Sequence, residues 1–478
     1  MEQTWFSLLP FLIVIAMSIW LKKILPGLVL GLILGSLLVT FDLLHGLQQT
    51  IKYIVKTLSD PTNINIIGFL YLFGGLVGMM KISGGMKGFS EWVGAKIKSQ
   101  RGLLSLIWLT LPFTFMMPMF RIMMIGPIVQ SIMEKRRLSK KKVGFVMDVS
   151  TASVIVLLPV ATAFVGFMVS LVEAGVQEHQ LDMSPYHVFL LSIPFNYFAI
   201  SMLVIGLLKT FLPSSKKKKK QNNHQAQKNL DHEHEAHPYH GMGIKEELSM
   251  VKAQPWNLII PLILLLGLSL FLLWQDGTAK GAKTIFEAFS KADSTFIMLL
   301  AIFITLVLTF VFYIFRKQPL DEILYHFFDG GNQMMQAIIL LVLVWSLTLA
   351  AEDLGFTTFI SATLGTFLPD YVIPAIIFLI GSAVGYFIGS SWGTWGLFMP
   401  LGMTLATATG ASIPLTVGAV FASGSFGALT SPLGDTTITT ASILEMPLVD
   451  YARYKLKIAS IGCAIATVLY LVTAFFFI

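Results

Sequence analysis

Cysteine and charged residues are both scarce in this sequence. The single cysteine, Cys463, excludes an internal disulfide and a cysteine-based metal site. Charged residues make up only 12% of the 478 residues, whereas 55% are hydrophobic. Because a soluble protein of this length carries about twice that charged fraction, the composition predicts a membrane protein. The first apolar stretch, 5–21, lacks a basic leader and a small-residue cleavage site, so we expect a retained span.

The net charge of +7 lies in the loops between the apolar stretches. This distribution indicates topology signals and membrane lipid as a partner, rather than a nucleic-acid surface. Basic residues gather on one side of the predicted topology, which we expect to be cytoplasmic. They are Lys22, Lys23, Lys96, Lys98, Arg101, 135–142, 216–220, Arg316, Lys317, Arg453, Lys455 and Lys457. The sequence thus predicts a multi-pass protein of the cell membrane, with both chain ends outside.

Apolar stretches of about 20 residues are long enough to cross a bilayer as helices. Eight stretches fit single spans: 5–21, 26–44, 64–81, 186–212, 256–274, 294–315, 333–350 and 455–478. Two others, 103–133 and 372–403, are too long for one crossing and too short for two. We expect each of these to be a re-entrant hairpin that turns inside the membrane.

Two further stretches, 143–176 and 412–443, carry Pro159 and Pro432 near their middles. Proline removes a backbone donor and clashes with the preceding turn, so these stretches are predicted to be broken helices. Non-helical backbone at membrane depth persists only where protein or a wet cavity surrounds it. Four interruptions in one chain therefore predict a solute-binding site.

The two halves of the sequence share one order of elements: spans, a hairpin, a broken helix and a closing span. Pro127 and Pro159 are 32 residues apart, as are Pro400 and Pro432, so one offset of 273 aligns both pairs. Counting the spans gives the two repeats opposite orientations. The predicted fold is therefore an all-α polytopic membrane protein with two inverted repeats, each with a hairpin and a broken helix.

A polar segment separates the two repeats. We predict membrane halves at 1–212 and 256–478, joined by a linker at 213–255. Five consecutive lysines, 216–220, and five histidines lie in this linker, so we expect it to be disordered and cytoplasmic. Two alternatives stay open: contact of the lysines with anionic lipid, and pH sensing or weak metal binding by the histidines.

The segment 389–396 reads GSSWGTWG and lies in the second predicted hairpin. Glycines permit a tight turn, and hydroxyls and carbonyls are oxygen ligands for a hard cation such as Na⁺. Ser390, Ser391 and Thr394 are therefore candidate ion ligands. The alternative is a seam of small residues for helix packing.

The segment 430–440 reads TSPLGDTTITT and lies at the predicted break in 412–443. Asp435 is a carboxylate at membrane depth, and such residues usually face an ion or proton path. The candidate ligands at this break are Ser431, Asp435, Thr436 and Thr437. We expect Na⁺ near Ser391 and Asp435. The alternative for Asp435 is a capping role at the second half-helix.

The first half contributes a further set of candidate ion- or substrate-binding residues, Asp148, Ser150 and Thr151, near the start of its broken helix. The alternative for Asp148 is a helix-end cap or a pair with Lys141 or Lys142.

Arg121 lies between methionines in the first predicted hairpin. A guanidinium buried in a membrane needs a partner. Two partners for Arg121 remain open: a structural group of the protein and the carboxylate of a substrate.

Together these motifs resemble the NhaC-type sodium/proton antiporter family over about 64–460. Segment 389–394, GSSWGT, is similar to the family's GTSWGT, and segment 431–437, SPLGDTT, is similar to its SPISDTT. Further elements follow the family's order: Gly84-Gly85, Ile125-Gly126-Pro127, the basic loop, Asp148 and Pro159. The resemblance implies exchange of Na⁺ for H⁺ and, in some members, movement of amino acids or small organic acids.

The sequence departs from the family's pattern at its acidic positions. Met117 and Pro118 stand where the family tends to have paired aspartates, and Arg121 stands at the following asparagine position. Ala428 and Leu429 replace a usual Asp-His pair. These departures remove candidate proton carriers and add a positive charge near the predicted site.

The leading prediction is Na⁺/H⁺ antiport by alternating access. The alternative is Na⁺- or H⁺-coupled transport of an amino acid or a small organic carboxylate, with Arg121 or a helix terminus holding the carboxylate; a channel is a third class. An enzyme is not predicted, since no nucleophile with a paired base and no metal-ligand spacing lies in the spans. We expect no cofactor beyond Na⁺ and H⁺ as transported ions and no nucleic-acid partner, and a homodimer is left open.

Overall fold

A computed structural model describes residues 5–82, 84, 100–115, 118–136, 139–159, 162–211 and 254–477. These residues form helices and connecting turns, and they contain no β-strand. By length and composition, seven helices in this part of the chain can cross a membrane, or eight if one pair bent by 45° is a single span. The prediction of an all-α fold with many spans is confirmed.

Two apolar helices open the first half, and a bent pair of helices closes it. In chain order its helices are α1 (Leu9–Leu21), α2 (Ile24–Thr40), α3 (Leu43–Leu58), α4 (Pro61–Ile82), α5 (Gln100–Leu109), α6 (Leu111–Thr114), α7 (Pro118–Arg136), α8 (Lys140–Ile155), α9 (Ala163–Glu178), α10 (Pro185–Ser192) and α11 (Tyr197–Phe211). Short 3₁₀ turns at Trp5–Leu8 and Ile193–Phe195 precede α1 and α11.

The second half follows the same order and ends on the longest helix. Its helices are α12 (Trp256–Ala279), α13 (Ile285–Lys291), α14 (Ser294–Phe315), α15 (Leu320–Gln333), α16 (Met335–Asp353), α17 (Phe356–Phe367), α18 (Ile373–Ile388), α19 (Ser391–Thr409), α20 (Ile413–Thr430), α21 (Asp435–Ile443) and α22 (Leu448–Phe477). A 3₁₀ turn at Asp370–Val372 precedes α18.

Two amphipathic helices, α3 and α15, occupy corresponding positions before α4 and α16. Asp42 caps α3, because its carboxylate accepts a hydrogen bond from the His45 backbone N–H at 2.7 Å. Pro319 fixes the chain direction at the start of α15. Sequence analysis did not predict these helices, since neither supplies a long apolar run of its own.

Both predicted hairpins are pairs of helices that lie side by side. In the second half, α18 ends at Gly389, whose φ is +73°, and α19 begins two residues later. Thr394 of α19 lies against Gly385 of α18, so the chain reverses at Gly389. In the first half, Arg121 of α7 reaches back to the Ile107 carbonyl of α5. The prediction of a hairpin in each half is confirmed.

Both predicted broken helices are interrupted where proline stands. Helix α8 ends at Ile155 and α9 begins at Ala163, with Pro159 in the gap. Helix α20 ends at Thr430 and α21 begins at Asp435, with Pro432 in the gap. The missing proline N–H and the ring's clash with the preceding turn account for each interruption.

The two broken helices run in opposite directions. At one end of the molecule, ion pairs join the start of α8 to the end of α21 and the start of α22: Lys140 to Glu445 at 3.5 Å and Lys141 to Asp450 at 3.7 Å. At the other end, His179, just after α9, lies 3.3 Å from Thr404 of α19, near the start of α20. Helix α8 thus begins at the end of the molecule where α21 ends, and α9 ends near the start of α20. Inverted repeats require this opposite direction.

Glycines allow α4 and α15 to cross at backbone contact. A Cβ at Gly74 or Gly78 would meet the backbone of Gly330 or His326, and a Cβ at Gly330 would meet Gly74 and Gly78 in return. Small residues are what such close helix crossings need in a membrane. This crossing fixes α15 against α4 and places its polar side chains at the edge of the central cavity described below.

Residues 212–253, which include nearly all of the predicted linker 213–255, lie outside the described part of the chain. The division into 1–212, 213–255 and 256–478 therefore stays a prediction.

Candidate functional site

A cavity of about 500 Å³ lies where the four interruptions of the chain converge. The tip of the second hairpin contributes Gly389 to Trp392, and the start of the neighbouring hairpin arm contributes Pro118 and Met119. The two breaks contribute Val156 and Phe164 from one repeat, and Asp435 and Thr436 from the other. Helices α4, α15 and α16 contribute the remaining lining residues. The volume lies within the range of about 300–1,000 Å³ that small-molecule sites occupy.

The second hairpin supplies hydroxyl and carbonyl oxygens to this cavity. Ser390 caps α19, because its Oγ accepts the Gly393 N–H at 3.3 Å. The Ser391 hydroxyl donates to the Gly424 carbonyl at 3.2 Å, which leaves its lone pairs free. Thr394 lies one turn deeper and donates to the Ser390 carbonyl at 2.8 Å. Ser390 and Ser391 line the cavity, whereas Thr394 is buried behind them.

Gly389 brings the hairpin tip onto the second break. A Cβ at this position would lie 2.8 Å from the Leu433 backbone and 3.0 Å from the Gly434 nitrogen. Its φ of +73° is also one that residues with a side chain rarely adopt. Both features require glycine, and together they hold Ser390 and Ser391 beside the start of α21.

Asp435 is the first residue of α21, and Gly434 takes the capping position before it. Its side chain is exposed, and it lines the cavity. Within the described part of the chain the carboxylate has no hydrogen-bond or ion-pair partner. A carboxylate in the first turn is favoured by the helix dipole, so the site holds an anionic group that remains available to a solute.

The other predicted ligands at this break divide between the cavity and the core. Thr436 lines the cavity. Ser431 is buried, and its Oγ accepts the Leu433 N–H at 3.1 Å within the break. Thr437 is also buried, and its Oγ1 accepts a hydrogen bond from the Lys455 ammonium at 2.7 Å.

Asp148 forms a fully buried ion pair with Lys455 of α22, at 2.6 Å from Nζ to Oδ2. Two hydroxyls also donate to this carboxylate: Tyr451 at 2.8 Å and Thr440 of α21 at 2.5 Å. The interpretation of Asp148 as a partner of Lys141 or Lys142 is wrong, since Lys141 pairs with Asp450 instead. Lys455, predicted only as one of the basic residues that mark the cytoplasmic side, is buried inside α22.

Arg121 is fully buried, and neutral protein groups take all of its N–H donors. Its Nε donates to Thr151 at 2.9 Å, and Nη2 donates to Ser150 at 3.1 Å and to the Ile107 carbonyl. Its Nη1 donates to Thr114 at 2.5 Å and to Thr110 at 3.3 Å. Arg121, Ser150 and Thr151 therefore bond to one another, and the hydrogen bonds of Arg121 join α5, α6, α7 and α8.

The predicted site residues thus form two groups. Ser390, Ser391, Asp435 and Thr436 line the cavity, whereas Arg121 and Asp148 with their partners lie in the core and are not among its described lining residues. Helix α21 connects the groups, because its first residue faces the cavity and Thr440, near its end, contacts Asp148.

Sequence reasoning missed three polar residues of the cavity lining: Asp329, Gln333 and Gln336. They belong to α15 and the start of α16, which follow a basic loop. In the sequence they look like polar residues that flank a membrane span, not like part of a binding site. The glycine pair at 330–331, beside a carboxylate, is the one local signal that could have pointed to them.

A sequence profile described as the Na⁺/H⁺ antiporter family matches residues 154–475, well over half of the chain. The chain belongs to the Na⁺/H⁺ antiporter family. The resemblance drawn from the segments at 389–394 and 431–437 is therefore confirmed. The chain is a multi-pass membrane protein and a secondary transporter.

Two solved structures share the fold of this antiporter-family chain. The YdaH transporter of Alcanivorax borkumensis superposes with a TM-score of 0.58 at 13% identity, over 91% of this chain and 89% of that one. MtrF of Neisseria gonorrhoeae, described as illuminating a class of antimetabolite efflux pumps, superposes with a TM-score of 0.55 at 13% identity, over 90% and 85%. At this identity the similarity shows the fold alone.

Curated relatives are distant. An uncharacterised protein of Haemophilus influenzae is 23% identical over 98% of this chain and 91% of its own length. The arginine/ornithine antiporter ArcD of Halobacterium salinarum is 31% identical over 130 residues, and a malate-2H⁺/Na⁺-lactate antiporter of Bacillus subtilis is 25% identical over 134 residues. These two matches cover 25–26% of this chain and 27–29% of the relatives.

Proposed function

We propose that this antiporter-family chain exchanges Na⁺ for H⁺ by alternating access, with Asp435 as the shared binding group. The observation that carries the proposal is the position of this carboxylate: it stands at a break in a membrane helix, faces the cavity, and has no partner among the described residues. Intramembrane carboxylates in such positions usually serve an ion or proton path.

The surroundings of Asp435 suit a hard cation. The Ser390 and Ser391 hydroxyls retain lone pairs, and Thr436 adds a third hydroxyl on the same wall of the cavity. Hydroxyl, carbonyl and carboxylate oxygens are the ligands that hard cations prefer. Na⁺ is the cargo here, and the proposal needs no cofactor.

Competition at one carboxylate accounts for antiport. A proton on Asp435 removes the charge that binds Na⁺, and Na⁺ on Asp435 disfavours protonation. If only the occupied forms allow the cavity to change sides, each cycle moves one ion against the other. The inverted repeats supply two related conformations for such a cycle.

The topology completes the proposal. We place the chain in the plasma membrane. Its basic face, which includes Lys140, Lys141 and the linker 213–255, would then be on the cytoplasmic side. A homodimer remains a prediction.

Reconstitution of purified protein into proteoliposomes tests the proposed exchange. An inward Na⁺ gradient should drive proton flux, read by a pH-sensitive dye, in the wild type and in Asp321→Asn, an exposed carboxylate outside the cavity lining. Asp435→Asn should abolish the flux, and Asp435→Glu should retain part of it. Undiminished Na⁺-driven proton flux in Asp435→Asn would refute the assignment.

A second candidate function is coupled transport of a small organic solute, and the cavity's size favours it. A volume of about 500 Å³ far exceeds the share of about 30 Å³ that one water molecule occupies in the liquid. Two relatives are named for amino-acid or organic-acid exchange. Because all donors of Arg121 are taken, this candidate does not use Arg121 as the carboxylate ligand.

A further inference from the structure

The charge of the cavity is one-sided. Asp435 of α21 and Asp329 of α15 both line it. Its described lining residues include no lysine, arginine or histidine. A cleft lined by one sign of charge concentrates solutes of the opposite sign.

Neither carboxylate forms an ion pair within the part of the chain that the structure describes. Asp329 accepts one hydrogen bond, from the Gln333 amide at 2.9 Å, and forms no ion pair with a described residue. Asp435 has no partner in the described chain. By contrast, Asp148, Glu445 and Asp450 are each paired with a lysine. Other carboxylates of the described chain, such as Asp321, also lack an ion pair, but Asp329 and Asp435 are the two that line this cavity.

An aromatic surface stands beside these carboxylates. The Trp392 indole lines the cavity, and its ring centroid lies 4.4 Å from that of Phe164 and 4.5 Å from that of Phe167. This packing holds the indole in one orientation, with part of it exposed. Tryptophan faces attract organic ammonium groups, and the nearby Met119 offers an apolar, adaptable wall.

The helix termini at the cavity do not reverse this preference. Helix N-termini attract anions, but those of α19 and α9 are already capped by Ser390 and Thr162, whose hydroxyls accept N–H groups of their own helices. The first turn of α21 carries the Asp435 carboxylate. An added carboxylate would therefore meet occupied caps at α19 and α9, and the negative charge of Asp435 at α21.

We infer that the cavity binds a small organic cation, a protonated amine on a short apolar body, with Asp435 and Asp329 as its counter-charges and Trp392 as its aromatic wall. This inference rests on the proposed function, since it assigns a substrate class to the same site. The amine would compete with Na⁺ and H⁺ at Asp435 and would contact Asp329 and the amides of Gln333 and Gln336, which line the same cavity.

Three four-carbon probes whose end groups differ in charge test the charge preference. Putrescine carries two ammonium groups, 1,4-butanediol is neutral, and succinate carries two carboxylates. In proteoliposomes, each probe is titrated against Na⁺-driven proton flux, and uptake of radiolabelled putrescine is measured in parallel. We expect putrescine alone to inhibit the flux and to accumulate in exchange for H⁺ or Na⁺.

A matched pair of variants on α15 tests the role of Asp329. Asp329→Asn should raise the putrescine concentration for half-maximal inhibition by about tenfold, the effect expected from loss of one charged contact. Asp321→Asn, the same change in the first turn of the same helix and outside the cavity lining, should not alter it.

The outcomes separate the two proposals. Na⁺/H⁺ exchange without any effect or uptake of putrescine overturns the inference and leaves the proposed exchange intact. Putrescine uptake without Na⁺/H⁺ exchange overturns the proposed exchange and supports an organic-cation transporter. Inhibition by succinate equal to that by putrescine also overturns the inference, and this comparison uses only the wild type, so it does not depend on the folding of a variant.

Discussion

Lys455 and Asp148 lie 307 residues apart in the sequence, yet their side chains form an ion pair of 2.6 Å that is fully shielded from solvent. Lys455 also donates to Thr437, and Asp148 also accepts from Thr440. The pair therefore joins α8 of the first repeat to α21 and α22 of the second, and the following predictions start from it.

Breaking this ion pair from one side should destabilise the protein more than removing both charges. Asp148→Asn leaves a buried ammonium without its counter-charge, a change that costs about 3–5 kcal/mol. The double variant Asp148→Asn/Lys455→Met removes the uncompensated charge and should recover part of that loss. In detergent, the unfolding temperature should be highest for the wild type, lower for the double variant and lowest for Asp148→Asn.

The control for this series is Asp450→Asn, which removes an exposed ion pair with Lys141. Exposed pairs contribute about 0–1 kcal/mol, so its unfolding temperature should stay near that of the wild type. Equal shifts for Asp148→Asn and Asp450→Asn would show that burial of the inner pair does not matter.

Arg121→Lys should destabilise the first hairpin although it keeps the positive charge. The guanidinium donates to Thr110, Thr114, Ser150, Thr151 and the Ile107 carbonyl. An ammonium has three donors and lacks the planar fork, and each buried polar group left without a partner costs about 1–3 kcal/mol. The measurement is thermal unfolding beside Arg316→Lys, whose single bond to Gln254 is exposed; similar unfolding temperatures for the two variants would contradict the prediction.

Gly389→Ala should impair both stability and transport, and Gly410→Ala separates the two causes. Both glycines have positive φ, +73° and +77°, so both variants carry the same backbone strain. A Cβ at 389 also meets Leu433 and Gly434, whereas nothing lies within 4 Å of a Cβ at 410. We expect Gly389→Ala to lose about 1–3 kcal/mol more than Gly410→Ala and to lose Na⁺-driven flux. Retained flux in Gly389→Ala would show that this contact is not needed for the site.

Alanine substitutions at two helical glycines, Gly330 and Gly267, should change stability in opposite directions. Gly330→Ala would force α15 away from α4, because the new Cβ meets the Gly74 and Gly78 backbone. Gly267→Ala, in α12, meets nothing within 4 Å and should stabilise its helix by up to about 1 kcal/mol. Thermal unfolding of both variants checks this. If Gly330→Ala unfolds at or above the wild-type temperature, the crossing is looser than the structure shows.

Sequence patterns predicted the interruptions of the fold because the cause of each is local. Pro159 and Pro432 break helices through their own missing N–H groups and rings, and Gly389 permits a turn through its own φ. The apolar spans are visible for the same reason, since length and hydropathy belong to one segment. The GSSWGT and SPLGDTT segments therefore led to Ser391 and Asp435, which line one cavity.

The partners of charged residues were not predictable in this way. Asp148 has Lys141 and Lys142 within two helical turns, but its partner is Lys455, because packing of α8 against α22 decides the pairing. In the sequence Asp329 is one more polar residue of an amphipathic helix, and only the crossing of α15 over α4 places it at the cavity. Local sequence carries no record of either contact.

Helix α21 is nine residues long, so at about 1.5 Å per residue it is a rod of about 13 Å. One end carries Asp435, and the other end is bound through Thr440 to the buried charges. A helix this short bends little along its length. A tilt of α21 at Asp435 should therefore also shift Thr437 and Thr440, which contact Lys455 and Asp148. We therefore expect a solute that moves Asp435 to change the contact between the two repeats as well, over a distance of only two to three helical turns.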